Sequence, residues 1–154
     1  MNILVVGGGA REHTICDAVC RSKNAYLYSV MHNMNPGIQR LSKEVLLEKD
    51  TNVKSIVEFA KKKKIDLVVV GPEAPLEVGV VNELEKNGIN ASSPTHEAAG
   101  IETDKEWMRN LLKKHKVCGQ LKYESFTDAK KAKRFIEDFN GEVAIKPIGL
   151  TGGK

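Results

Sequence analysis

The sequence predicts an α/β fold, a parallel sheet with helices on both faces, over residues 1 to about 92. Three observations predict it. Continuous apolar runs rich in branched residues recur at Ile3-Leu4-Val5-Val6, at Tyr26 to Met31 and at Leu67-Val68-Val69-Val70, the pattern of strands buried on both faces. Stretches with helical spacing lie between them. Each run ends in turn formers: Gly7-Gly8-Gly9, then Asn33-Met34-Asn35-Pro36-Gly37, then Gly71-Pro72-Glu73. Alternation of strand and helix implies parallel strands with their ligands at the carboxyl ends.

In chain order, Ile3 to Val6 runs into three glycines and a helical pattern from Glu12 to about residue 22. Such a turn lets the backbone approach an anion, and the helix start presents free N–H groups to it. Arg11 adds a planar fork suited to phosphate or carboxylate. A turn that serves only strand–helix packing remains the plain alternative. Residues 26–31 form the second strand, residues 33–37 a loop at the same rim, and Val45 to Leu47 a short further strand. A helix spans about Asn52 to Lys63, with Val53, Ile56, Val57 and Ala60 on one face and Asp50 or Thr51 as its cap. Asp66 to Val70 gives the clearest strand, and Glu73 follows it at the rim, suited to accept hydrogen bonds from a sugar diol or to complement a helix start. A helix over Leu76 to Asn87, stopped by Gly88, a strand over Ile89 to Ala91, and a short helix capped by Thr95 and reaching about Ala99 complete this part.

The pattern then changes. Thr103-Asp104-Lys105 opens a helix to about His115, an extended piece covers Gln120 to Phe126, and Thr127 caps a helix to about Phe139. Residues 142–154 read as a strand and a glycine-rich loop ending Gly152-Gly153-Lys154. A strand and phosphate-type loop with nothing beyond to cover them suggest that residues from about 102 onward begin a larger, truncated module.

Composition narrows the function classes. In 154 residues, 41% are hydrophobic, enough for a sizeable core, and no apolar run nears the ~20 residues of a membrane span. The start carries neither a charged leader nor a cleavage site, so a cytoplasmic location is expected. The net charge of +4 favours small anionic ligands. Aromatic residues are only 5%, with no basic–aromatic stripe, so nucleic acid is not an expected partner. Lys61 to Lys64 reads as a solvated helix end. The three cysteines suit a reducing compartment, with Cys16 and Cys20 as small core residues on one helix face. No metal-ligand spacing is present, and no metal site is expected within these residues. Dinucleotide binding is disfavoured: Glu12 occupies the place of the third glycine of that fingerprint, and no carboxylate follows the second strand.

Taken together, these motifs resemble the amino-terminal third of the glycinamide ribonucleotide synthetase (phosphoribosylamine–glycine ligase) family. The resemblance rests on Val5-Val6-Gly7-Gly8-Gly9-Ala10-Arg11-Glu12-His13, Asn35-Pro36-Gly37, Val69-Val70-Gly71-Pro72-Glu73-Ala74-Pro75-Leu76, Ser93-Pro94-Thr95, Asp104-Lys105 and Ala144-Ile145-Lys146-Pro147-Ile148-Gly149-Leu150-Thr151-Gly152-Gly153-Lys154. It implies a Rossmann-like pre-ATP-grasp domain over 1–101 and the start of an ATP-grasp small lobe (α+β) over 102–154. The implied activity is ligation in purine biosynthesis: ATP phosphorylates the carboxylate of glycine, and the amine of 5-phosphoribosylamine attacks the acyl phosphate. This truncated chain would be inactive alone, with the remaining ATP-grasp and C-terminal domains as its partners.

By the same resemblance, Gly7, Gly8, Gly9, Arg11, Glu12, His13, Asn35, Pro36, Gly37, Pro72 and Glu73 would bind the phosphoribosyl substrate. Lys105, Lys146, Gly152, Gly153 and Lys154 would bind ATP, with the ligands for Mg2+ (or Mn2+) outside this chain. Ala10 and Ser93 stand where the family commonly has glycine. A stand-alone Rossmann-like module for a phosphorylated metabolite is the competing reading, and the residues without the resemblance support only a phosphate-binding α/β domain.

Overall fold

In the computed structural model, which describes residues 1–139 and 141–151, the chain divides into two compact units, Met1–Ala99 and Gly100–Lys154.

The first unit alternates strand and helix: β1 (Asn2–Val6), α1 (Ala10–Cys20), β2 (Tyr26–Met31), α2 (Pro36–Leu41), β3 (Glu44–Leu47), α3 (Val53–Lys62), β4 (Leu67–Val70), α4 (Glu73–Glu77), α5 (Val80–Lys86) and β5 (Asn90–Ala91), with α6 (His96–Thr103) beginning in it. The five strands are parallel and ordered β3-β2-β1-β4-β5. Period-two alternation sorts the core. Leu4, Val6, Tyr28, Val30, Val68 and Val70 join Ile56, Val57, Phe59, Ala60, Val80, Val81 and Leu84 on one face. Val5, Leu27 and Met31 join Cys16 and Ile38 on the other. The sheet is therefore covered on both sides, which is why its strands read as unbroken apolar runs.

The order reverses at β1. The chain leaves β1 towards β2 and β3, then returns to add β4 and β5 on the opposite side. Where neighbouring strands send their following loops to opposite faces, a crevice opens at the carboxyl ends. Here it lies between the loops after β1 and β4. Register holds these loops level, since Val6 faces Val30 on one side and Val70 on the other. Two backbone bonds extend the ladder into the turns, Gly7 N to Val30 O at 2.8 Å and Gly71 N to Val6 O at 3.0 Å.

Several local expectations are corrected. The Asn35-Pro36-Gly37 segment is the start of α2 rather than an open loop. Asn35 Oδ1 accepts from Gly37 N and Ile38 N, and Pro36 fills the first turn, where a missing N–H does no harm. The helix expected over 76–87 is two helices. Gly79 breaks it with a left-handed φ of 76°, and α4 begins earlier, at Glu73. Asn52, not Asp50 or Thr51, caps α3 through a bond from Ser55 N. The helix from residue 96 runs on to Thr103 rather than ending at Ala99.

The second unit contains α7 (Lys105–Lys114) and α8 (Ala129–Asp138). Asp104 caps α7 through Trp107 N, and Asp128, not Thr127, caps α8 through Lys130 N and Lys131 N. Phe135 lies between Phe126 and Phe139, with ring centroids 5.4 and 5.7 Å away. Residues 120–126, expected as an extended piece, and the strand expected in the segment from residue 142 form no ladder among the described residues. A strand is held by the N–H and C=O groups of a neighbour; among the described residues, the bond from Lys105 N to Ile148 O at 3.1 Å reaches only the end of the second segment.

Candidate functional site

Three loops meet at the carboxyl rim of the first unit's sheet. The loop after β1 carries Gly7, Gly8 and Gly9. Gly7 has a φ of 118° and Pro72 close by, since a Cβ there would lie 2.7 Å from Pro72 Cδ, so only glycine makes this turn. The N–H groups of Gly8, Ala10 and Arg11 have no protein acceptor among the described residues. They face outward at the start of an eleven-residue helix, the arrangement that favours an anion.

Asn35 secures this loop from the β2 side. Its Nδ2 donates to Gly8 O at 3.0 Å while its Oδ1 caps α2. The His13 ring lies directly against Gly37, where any side chain would overlap it. His13 thus packs α1 on the Asn35-Pro36-Gly37 segment.

From the β4 side, Pro72 sits at the N-cap position of α4, with no capping side-chain bond, and Glu73 is its first residue. Glu73 Oε1 accepts from Arg11 Nη1 at 3.0 Å, joining the two sides of the crevice. Arg11 also donates through Nε to Glu12 Oε1 at 3.0 Å. Glu12 and then Glu73 raise the Arg11 pKa above its ordinary value by hydrogen bonding to the charged guanidinium. The Arg11 side chain nevertheless stays 55% exposed.

Glu12 is different from the other sequence-predicted residues. Its side chain is 4% exposed and turns inward to the base of the crevice. Gly71, which the sequence reading did not single out, makes room for it, since a Cβ at Gly71 would overlap Glu12 Oε1. A glycine immediately after a buried strand was the signal available for it.

Ser93, where a glycine is common in the resembling family, has a specific task. Its hydroxyl accepts from Val70 N at 2.9 Å and donates to Val70 O at 3.0 Å. Two-residue β5 is too short to cover the end of β4, and the side chain completes the pairing there.

The structure thus brings Gly7, Gly8, Gly9, Arg11, Asn35, Gly37, Pro72 and Glu73 to one rim, with Glu12 and His13 beneath it. In the second unit, Lys105 Nζ donates to Gly149 O at 2.8 Å and Ile148 O at 3.3 Å, and Lys105 N donates to Ile148 O. Lys146 is exposed and has no hydrogen-bond partner among the described residues. Gly152, Gly153 and Lys154 lie outside the described residues. Among those described, no group of three His, Cys, Asp or Glu side chains could hold a metal ion, and no helix is long and apolar enough to cross a membrane.

Comparison with known proteins bears on what this rim is for. The family model for the phosphoribosylglycinamide synthetase N domain matches residues 1–102. The chain belongs to this family. The model for the family's ATP-grasp (A) domain matches residues 103–154. Phosphoribosylamine–glycine ligase of Methanoregula boonei is 49% identical over 154 residues, covering all of this chain and 36% of that protein. The Pyrococcus furiosus ligase is 47% identical over the same span, 35% of its length. The chain therefore spans about a third of these relatives.

Among solved structures, phosphoribosylglycinamide synthetase from Anaerococcus prevotii superposes with a TM-score of 0.65 at 16% identity, over 90% of this chain and 35% of that one. An ADP complex of N5-carboxyaminoimidazole ribonucleotide synthetase gives 0.73 at 13% identity, over 90% and 35%. These likenesses show the α/β fold, with its parallel sheet, as one found in ATP-grasp enzymes.

Proposed function

We propose that this chain is the amino-terminal part of an ATP-dependent ligase that joins 5-phosphoribosylamine and glycine into glycinamide ribonucleotide, releasing ADP and phosphate. The observation that carries the reading is the meeting of the glycine turn, Arg11 and Glu73 across the β1–β4 crevice of a chain in this family. The free N–H groups at the start of α1, with the exposed part of Arg11, suit the 5′-phosphate, because backbone donors and a guanidinium can both hydrogen-bond to its oxygens. Glu73 suits the ribose hydroxyls, as an acceptor at the same rim. The Asn35-Pro36-Gly37 segment closes the third side. Residues 1–101 form the substrate domain in this reading, and residues 102–154 open the ATP-grasp domain.

Lys105 and Lys146 would hold nucleotide phosphates. The residues present fit that assignment: Lys105 is anchored through neutral carbonyls at Ile148 and Gly149 and has no ion pair among the described residues, and Lys146 is exposed. ATP with Mg2+ (or Mn2+) supplies the phosphoryl group that activates the glycine carboxylate. The chain's own residues hold and orient the two anions. The metal ligands, the rest of the ATP-grasp domain and the C-terminal domain belong to the remaining length seen in the relatives, and the fragment alone would turn nothing over. A cytoplasmic location follows from this metabolism.

Calorimetric titration with glycinamide ribonucleotide, NAD and ATP–magnesium tests the reading. Heat with the ribonucleotide and none with NAD supports it. NAD heat without ribonucleotide heat overturns it, and ribonucleotide binding that survives loss of the glycine-turn cation would move the site elsewhere. Lys146→Ala should leave ribonucleotide affinity within about twofold, since a group that serves only ATP has no contact with the sugar. A matched loss of both ligands would contradict the division between the units.

A further inference from the structure

Every other candidate role for Glu12 must meet one fact: it is the buried charge at the crevice. Its Oε2 accepts from Gly9 N at 2.7 Å and its Oε1 from Arg11 Nε at 3.0 Å. Its carboxylate lies so close to Gly71 that no side chain fits there. With both oxygens engaged and 4% of the side chain exposed, it has no face left for a ligand. A buried carboxylate is retained only where donors compensate it. Here these are a backbone N–H, a guanidinium and the positive end of α1, whose first turn contains Glu12.

We propose that Glu12 is the positioning residue of the phosphoribosyl site. It fixes the Gly9 peptide and the Nε edge of Arg11, and it wedges the loop after β1 against the loop after β4. It acts through Arg11 and contacts no substrate. This departs from reading Glu12 as a ligand-binding residue, and it rests on the phosphoribosyl reading of the rim. The geometry gives Arg11 two anchors on opposite sides of the crevice, Glu12 below and Glu73 across. The guanidinium is thereby held over the switch point with the rest of its surface exposed. An arginine ordered before the ligand arrives loses less side-chain freedom on binding.

Glu12→Gln is the informative change. The amide can still accept from Gly9 N–H, but its NH2 opposes the Arg11 Nε–H, placing donor against donor. The experiment uses the 154-residue chain in four forms: unchanged, Glu12→Gln, Arg11→Ala and the double variant. Arg11 Nε–H is followed by nitrogen-15 NMR, glycinamide ribonucleotide affinity by calorimetry, and melting temperature in parallel. The expected result is a distinct, slowly exchanging Arg11 Nε–H signal that Glu12→Gln abolishes, with affinity falling roughly tenfold, the worth of one charge-assisted bond. The double variant should bind no more weakly than Arg11→Ala.

Additive losses would mean that Glu12 touches the ligand and overturn the proposal. So would a lowered melting temperature with unchanged affinity, which is a structural role alone. If the unchanged chain binds no ribonucleotide, the phosphoribosyl reading fails by itself, while an Arg11 signal that persists in Glu12→Gln still refutes the positioning claim separately. Should Glu12→Gln not fold, Glu12→Asp keeps the charge and withdraws it by one methylene. The Arg11 signal and the affinity then fall together, or the proposal is wrong.

Discussion

Helices α3 and α7 carry the same kind of signal and meet different fates. In α3, Val53, Ile56, Val57 and Ala60 recur on one face, and Ile56 and Ala60 are completely buried against the sheet. In α7, Trp107, Met108, Leu111 and Leu112 recur with similar spacing, yet no residue of the helix is buried. The same holds for α8. The buried hydrophobic residues among those described all fall between Leu4 and Ala99. An amphipathic period therefore specifies that a helix forms and which face is apolar. Burial requires an opposing surface, and among the described residues the sheet of the first unit supplies it.

The largest test of that contrast is a core truncation in each unit. Ile56→Ala should cost about 2–5 kcal/mol in chemical denaturation, the lost transfer energy plus the cavity. Leu111→Ala, at a residue only partly buried, should cost less, about 1 kcal/mol, since less apolar area leaves water there. Equal losses would show that α7 is packed as firmly as α3, and the comparison would collapse.

A second test uses the cysteines. Cys16 is fully buried, and desolvation pushes its thiol up to about 11 from an ordinary 9.0, against a weaker lowering by Ser29. Cys20, expected in the core beside Cys16, is exposed at the end of α1, although partial desolvation still raises its thiol; Cys118 in the second unit is exposed too. Alkylation at pH 8 should therefore modify Cys118 first and Cys16 last. The unfolded chain loses the Cys16 proton before the folded one does. The stability from the neutral buried thiol is complete below pH 9 and declines as pH rises through about 11. That is a loss of about 2–3 kcal/mol at 1.36 kcal/mol per pKa unit. Cys16→Ala should flatten this part of the pH–stability curve, and an unchanged slope would assign it to other groups.

These contrasts explain what could be read beforehand. The strands of the sheet were legible because burial on both faces leaves continuous apolar runs, and the three rim loops because each run ends in turn formers. Helix α2 was missed because Asn35-Pro36-Gly37 is also a turn sequence. Its cap and first-turn proline become helix signals only once the loop is anchored to Gly8. The break at Gly79 was hidden by apolar residues on both sides of it. For the site, the sequence named the residues but not their direction. Glu12 sits beside Arg11 in the same motif, and only the fold turns one inward and the other outward. The strand expected after residue 142 forms no ladder among the described residues for the reason that α7 is unburied: a local pattern cannot supply its own partner.

The helix caps give the smallest effect in energy and the sharpest on this point. Asn52 caps α3 and Asp128 caps α8, each through its side-chain oxygen, and removing such a cap costs typically about 1 kcal/mol. The two losses should appear in different observables. In α3, burial of Ile56, Val57, Phe59 and Ala60 holds the helix regardless, so Asn52→Ala should lower the melting temperature of the first unit while leaving the helical circular dichroism of the folded chain unchanged. Ten-residue α8 has no buried residue, and a helix that short is marginal in water without packing. Asp128→Ala should therefore lose helical signal at 222 nm at 25 °C, with the first unit's melting unmoved. If Asp128→Ala instead shifts that melting as Asn52→Ala does and keeps its helical signal, tertiary burial rather than local capping sustains α8. The contrast between the two units would then lie in their sequences alone.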